Sequence, residues 1–194
     1  MQKWHIRVLW AYPIFAIMTV IASLTIIIAS KVRPSSTPAV FHYVKHHWSK
    51  AVLRLLTVKL EEAKTSKRSL LATGVTHVIV APHRSVLDPA IIAAILPRHR
   101  NQWVVKREVF DIPFIGPALK AAGCLATDRD GNKDAAKAML SPETARNLQM
   151  KKSSLVLFAS GSRHKTEFKS GGFYFAKENA LPVMPIGISG ADDI

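Results

Sequence analysis

The chain has 194 residues, 48% of them hydrophobic, which is enough for one domain with a sizeable core and too few for several. Its 27 Lys and Arg against 13 Asp and Glu give a formal charge of +14, so an anionic partner is expected: nucleic acid, an anionic membrane surface or phosphorylated substrates. Aromatic residues are not interleaved with the basic ones in the sheet-like segments, which argues against nucleic acid. The single cysteine, Cys124, excludes an internal disulfide and reads as a small core residue in a reducing compartment.

Val8 to Ser30 carries no charge and is mostly apolar. As a helix it would reach roughly 34 Å, against a hydrocarbon core of about 30 Å. Lys31 and Arg33 follow at once, so an uncleaved membrane segment is favoured over a secretory signal, and residues 1–35 are assigned to this segment and its linker. Pro13 can kink it near its start, which keeps a re-entrant or interfacial helix open. Nine basic residues from Lys31 to Arg68 face only Glu61 and Glu62, so the positive-inside rule puts the body of the protein at the cytoplasmic face of the cell membrane. After Pro34-Ser35-Ser36-Thr37-Pro38, the residues Phe41, Val44, Trp48, Val52, Leu55 and Leu56 recur at helical spacing, with Lys45, Lys50 and Arg54 largely on other faces. Residues 36–68 therefore read as a basic amphipathic helix, lying on anionic headgroups or packed on the domain. His42, His46 and His47 sit on it, but no nearby carboxylate completes a zinc set, and no metal is expected.

Residues 69–194 alternate strand-like and helix-like stretches. Strands are expected at 76–81, 102–105, 124–127, 154–159 and 183–188. Helices are expected at 89–96, 114–122, 133–150 with a break near Ser141-Pro142, and 173–179. This predicts an α/β domain with a largely parallel central sheet flanked by helices. The chain stops soon after a strand with no closing helix, which predicts that a C-terminal part is missing.

The motif that carries most chemistry is His83-Arg84-Ser85-Val86-Leu87-Asp88, placed between an apolar strand and a helix. Neutral imidazole can take a proton near pH 7, and a carboxylate on its other nitrogen holds the tautomer and stabilises the imidazolium. Asp88 before Pro89 is equally a good N-cap, and one oxygen can cap while the other meets His83. Further along, Arg129 at a strand end can grip phosphate or pair with Asp128 or Asp130. The turn Phe158-Ala159-Ser160-Gly161-Ser162-Arg163 can cradle phosphate with backbone N–H groups and Arg163, or be an ordinary loop. Leu181-Pro182-Val183-Met184-Pro185 can wall a binding site or simply bound a strand. Asp128 to Asn132 is no calcium loop, since its Gly comes too early and Met139 stands at the twelfth position. Gly161-Ser162 lacks the G-x-S-x-G pattern of a nucleophile elbow.

In order and separation, these elements resemble the glycerolipid acyltransferase family from about Thr76 to Gly190. His83 and Asp88 match its H-x4-D block. Pro113, Gly116 and Arg129 match its Pro-x-x-Gly and Arg. Residues 158–163 match F-P-E-G-T-R with Ala159, Ser160 and Ser162 in place of Pro, Glu and Thr. Pro182 to Pro185 matches the proline-bounded strand. The resemblance implies transfer of a fatty acyl group from acyl-CoA or acyl carrier protein to the sn-2 hydroxyl of lysophosphatidic acid, with no cofactor beyond the acyl donor. His83 would be the base and Asp88 its orienter. Arg129, Arg163, Lys106, Ser160, Gly161 and Ser162 would bind substrate. Acylation of glycerol-3-phosphate at sn-1 is the alternative enzyme reading. A non-catalytic protein of anionic membranes is the alternative from another class, motivated by Ser160 in place of the usual Glu.

Overall fold

The computed structural model describes residues 3–63, 74–96, 100–128, 137, 139–161 and 167–191. Two helices precede the α/β unit. Helix α1 runs from Lys3 to Val32 without a break at Pro13. A short 3-10 turn at Pro34–Ser36 leads into α2, Thr37–Leu55. The helix ends well before residue 68, and the reason is local. Thr57 takes a left-handed φ of 57°, Val58 N–H bonds Leu53 O at 2.8 Å, and Thr57 N–H bonds Arg54 O at 3.0 Å. These two bonds form a Schellman C-cap that closes the helix. Residues 64–68 of the expected amphipathic segment lie outside the described residues.

The sheet consists of β1 (Val78–Ala81), β2 (Asn101–Lys106), β3 (Leu125–Thr127), β4 (Ser154–Phe158) and β5 (Val183–Pro185). Its order is β3-β2-β4-β1-β5 and every pairing is parallel. The connecting helices are α3 (Asp88–Ile95), α4 (Ile115–Ala121), α5 (Pro142–Met150) and α6 (Gly171–Glu178). The break expected near Ser141 is the N-cap of α5, where Ser141 Oγ accepts from Thr144 N–H at 3.3 Å.

Alternation along the central strands divides the core. Ile79 and Ala81 of β1, with Val156 of β4, face Ile26, Phe41, Ile92 and Ala118 from the first four helices. Val78 and Val80, with Leu155 and Leu157, face Leu148 of α5 and Phe175 of α6. A parallel sheet covered on both sides explains why VIVA and SLVLF are continuous apolar runs rather than alternating ones.

Two consequences position the site. The chain leaves β1 for β2 on one side and leaves β4 for β5 on the other, so β1 and β4 flank a topological switch point. Ligands of open parallel sheets bind in the crevice outside such carboxyl ends. In addition, α1 packs against both α2 and α4, so its inner face walls the space above this crevice.

Gly116, singled out by its Pro-x-x-Gly context, has a packing role. A Cβ there would lie 1.9 Å from the Phe110 carbonyl oxygen, a backbone atom that cannot swing away. Gly116→Ala is expected to lower stability by about 1–3 kcal/mol through forced displacement of α4, read as a fall in the chemical-denaturation midpoint in detergent.

Candidate active site

The end of β1 delivers His83 and the end of β4 delivers Ser160, because Ala81 pairs with Phe158 in the ladder. His83 Nδ1 lies 2.9 Å from Asp88 Oδ2, and its ring stacks on Phe158 with centroids 4.3 Å apart and planes 23° apart. The same Oδ2 accepts from the N–H groups of Arg84 at 2.7 Å and Ser85 at 2.8 Å. Asp88 is 1% exposed, whereas the His83 side chain keeps 18%. A buried carboxylate needs such donors to remain ionised. With Nδ1 occupied, the imidazole offers Nε2 to a substrate.

The capping expectation is corrected. Leu87, not Asp88, is the N-cap residue, and Asp88 is the first residue of α3. Its side chain turns back onto the preceding loop instead of forward into the helix. One oxygen serves His83 and both loop amides, while the buried Oδ1 has no hydrogen-bond partner among the described residues. A five-residue loop that must curl around its own carboxylate leaves that oxygen too far back to reach the helix amides.

Ser160 and Gly161 differ from the phosphate-cradle expectation. Ser160 is 1% exposed, and its Oγ accepts from the backbone N–H of His83 at 3.1 Å. Gly161 lines the site, but its N–H is spent on Phe158 O at 3.0 Å. Gly161 is required by its φ of +67° and by Lys169, whose Cε would lie 3.2 Å from an added Cβ. Lys169 is thus an exposed cation over the turn that sequence reading did not identify. It follows the motif by several residues and returns only through the bond from its N–H to Ala159 O. Lys106 lines the site and pairs with Glu108. Asp128 is bound by Arg107, also missed from sequence, through Nε and through Nη2 at 2.8 Å. That hydrogen bond holds the Asp128 carboxyl below its ordinary range and raises the Arg107 guanidinium. Arg129, Ser162 and Arg163 lie outside the described residues.

His83 opens onto a cavity of about 540 Å³ whose walls are mainly apolar. The far walls come from Ile26 of α1, Phe41, Val44 and Trp48 of α2, and Ala118 of α4. The apolar stripe of α2 is therefore turned inward, while Tyr43, His47, Lys50 and Arg54 are exposed. The three histidines are dispersed: His47 packs on Tyr43, and His46 Nδ1 lies 3.4 Å from Ala93 O. One charged group also lines the cavity. Lys45 bonds Asn101 Oδ1 and sits over the rings of Trp103, 5.5 Å from its centroid, and Phe41. Burial pushes the Lys45 amine down to about 7, against a smaller upward pull from Cys124, whose thiol burial raises to about 11.

A base, its buried orienter and an apolar chamber at the carboxyl ends of a parallel sheet define a site that removes a proton beside a long hydrocarbon. The profile of the Acyltransferase family matches residues 59–189, and the chain belongs to that family. It is 30% identical over 114 residues to the 1-acyl-sn-glycerol-3-phosphate acyltransferase of Streptococcus pneumoniae, covering 59% of this chain and 42% of the relative. It is 31% identical over 121 residues to the alpha form of that enzyme in Ovis aries, covering 60% and 41%. The matched stretch therefore spans about two-fifths of these relatives. The fold is similar to the crystal structure of the LPA acyltransferase PlsC from Thermotoga maritima, with TM-score 0.76 and 17% identity, over 99% of this chain and 77% of that one.

Two outcomes follow from this geometry. Asp88→Ala strips one buried acceptor from three donors and is expected to cost at least about 3 kcal/mol, with the imidazole losing its preference for the Nδ1–H tautomer, read by nitrogen chemical shifts. For Lys45, the folded amine titrates near 7 and the unfolded one near 10.5, so between these values the unfolded chain binds one more proton. Stability then rises with pH across that window, by up to about 1.4 kcal/mol per pH unit from this group, and Lys45→Met is expected to flatten the slope in pH-dependent denaturation.

Proposed function

We propose that this chain transfers a fatty acyl group from an acyl thioester, acyl-CoA or acyl carrier protein, to the sn-2 hydroxyl of lysophosphatidic acid, giving phosphatidic acid. The observation that carries the proposal is the His83–Asp88 pair at 2.9 Å, set at the mouth of an apolar cavity large enough for a hydrocarbon chain. The names of the relatives support the choice of acceptor.

In this reading the acceptor hydroxyl meets His83 Nε2. As its oxygen attacks the thioester carbonyl, the proton passes to the imidazole and Asp88 balances the new positive charge. The C–O ester bond forms, the C–S bond breaks, and the imidazolium returns the proton to the departing thiolate. The acceptor is itself the nucleophile, so no acyl-enzyme is needed. Ser160 holds the His83 main chain. Lys106, Arg129 and Arg163 are assigned to the acceptor phosphate, with Gly161 and Ser162 allowing close approach. Lys169 adds to the positive field there.

The proposal includes the membrane. Trp10–Val32 is long and apolar enough to cross a bilayer. Its outer face shows Trp10, Tyr12, Ile17, Ile21 and Ile28, while its inner face lines the cavity through Thr19, Ala22, Ser23 and Ile26. Lipid would reach the outer face and substrate chains the inner one. The basic residues that follow suit anionic headgroups at the cytoplasmic surface.

The test is transfer from a labelled acyl-CoA to lysophosphatidic acid in vesicles, with glycerol-3-phosphate as a second acceptor. His83→Ala is expected to lower kcat by about 100- to 10,000-fold with folding retained. Product from His83→Ala at the wild-type rate would remove the base from the mechanism. Transfer to glycerol-3-phosphate alone would reassign the acceptor. A folded wild type inactive on both would leave a membrane-binding protein.

A further inference from the structure

The cavity contains polar groups that the transfer reaction does not use. Lys45 and Ser49 lie one turn apart on α2, and both line it. Residues four apart on a helix share a face, so the amine and the hydroxyl are neighbours on one wall. Ser49 is 0% exposed and its Oγ has no hydrogen-bond partner among the described residues. Lys45 has Asn101 Oδ1 as a partner, but that oxygen also accepts from Trp103 Nε1 at 2.7 Å. An amine has two or three N–H groups to place, so one shared acceptor does not satisfy it.

Their surroundings make this costly. The neighbouring wall is Phe41, Val44, Trp48 and Ile26, which offer little beyond ring faces. Leaving a hydroxyl or an amine unsatisfied in such a place is unfavourable, and Met and Ala would fill the same positions without that penalty. The lowered affinity of the Lys45 amine for its proton reports the same shortage of polar contacts. An apolar chamber with a few fixed polar groups is the usual form of a selective site, because those groups discriminate between ligands of similar size.

The pair is also separated from the reacting atoms. His83 stacks on Phe158, Phe158 approaches Trp103 with centroids 6.2 Å apart, and Lys45 lies over Trp103. A ligand that touches both ends must run past two aromatic rings, as a hydrocarbon chain can.

We propose that Lys45 and Ser49 form a polar subsite within the cavity that selects acyl chains carrying a hydroxyl or keto oxygen part-way along their length. The inference rests on the reading of the cavity as the acyl-donor site. A chain oxygen would accept from the Lys45 amine and from Ser49 Oγ, and a chain hydroxyl could donate to Ser49. An unsubstituted chain would press methylenes against both and leave them unpaired. The subsite thus favours one chain and penalises the other.

The experiment uses the full chain in detergent and hexadecanoyl-CoA thioethers, which cannot react. In one the chain is unsubstituted, and in the others a hydroxyl is moved along it. The expected result is one hydroxyl position that binds wild type about five- to tenfold tighter than the plain chain, the worth of one or two hydrogen bonds. In Lys45→Met that ratio should fall to near one, and in Ser49→Ala to an intermediate value. Equal binding of every analogue to wild type would overturn the subsite and leave the donor reading intact. A preference that survives in both variants would also overturn it. Failure of every analogue to bind a folded wild type would overturn the donor reading, and the subsite with it.

Discussion

One carboxylate oxygen organises this site. Asp88 Oδ2 gathers the imidazole of His83 and the N–H groups of Arg84 and Ser85, so a five-residue loop closes on a single buried anion. The bonds to main-chain amides keep the loop's shape, and the bond to His83 sets the tautomer. The spacing follows from this closure. A shorter run would not allow the loop to curl back, and a longer one would not hold two amides and the ring on the same oxygen. The orienting of the base and the folding of the loop are thus one interaction.

That loop is anchored a second time from a distant part of the chain. Ser160, 77 residues further on, receives the His83 N–H, and Phe158 supplies the surface on which the ring lies. Both contacts depend on the parallel register of β1 with β4, which sets Ala81 beside Phe158. A Glu is the usual residue of the resembled motif at position 160. Here a small hydroxyl does local structural work, in a place too enclosed for it to meet a phosphate unaided. The departure from the motif marks a difference in how the His83 loop is supported.

The N-terminal helices join the membrane problem to the substrate problem. The outer face of α1 is apolar because lipid solvates it, and its inner face is mixed because it meets the cavity. On α2 the order is reversed: the basic residues Lys50 and Arg54 are outside and the apolar stripe is inside. Lys45 breaks this rule, being a cation on the inward face, stabilised by Asn101 and ring faces. Helical spacing alone would put it with the other basic residues.

Much of this was legible in the chain. Apolar runs of strand length between helical stretches announce a parallel sheet, since strands buried on both faces have no polar side to show. The His83-to-Asp88 spacing announces the pair because the contact is local and its geometry is contained in six residues. The length of the first apolar segment likewise needs only a count. What tertiary structure decided are the contacts between segments remote in sequence. These are Ser160 on the His83 amide, Lys169 over Gly161, Arg107 on Asp128, and Lys45 and Ser49 turned toward a cavity. Local pattern reports which residues share a face or a turn. The partner that face meets depends on strand register and helix packing, which are settled only when the whole chain minimises its exposed apolar surface and its unpaired polar groups together.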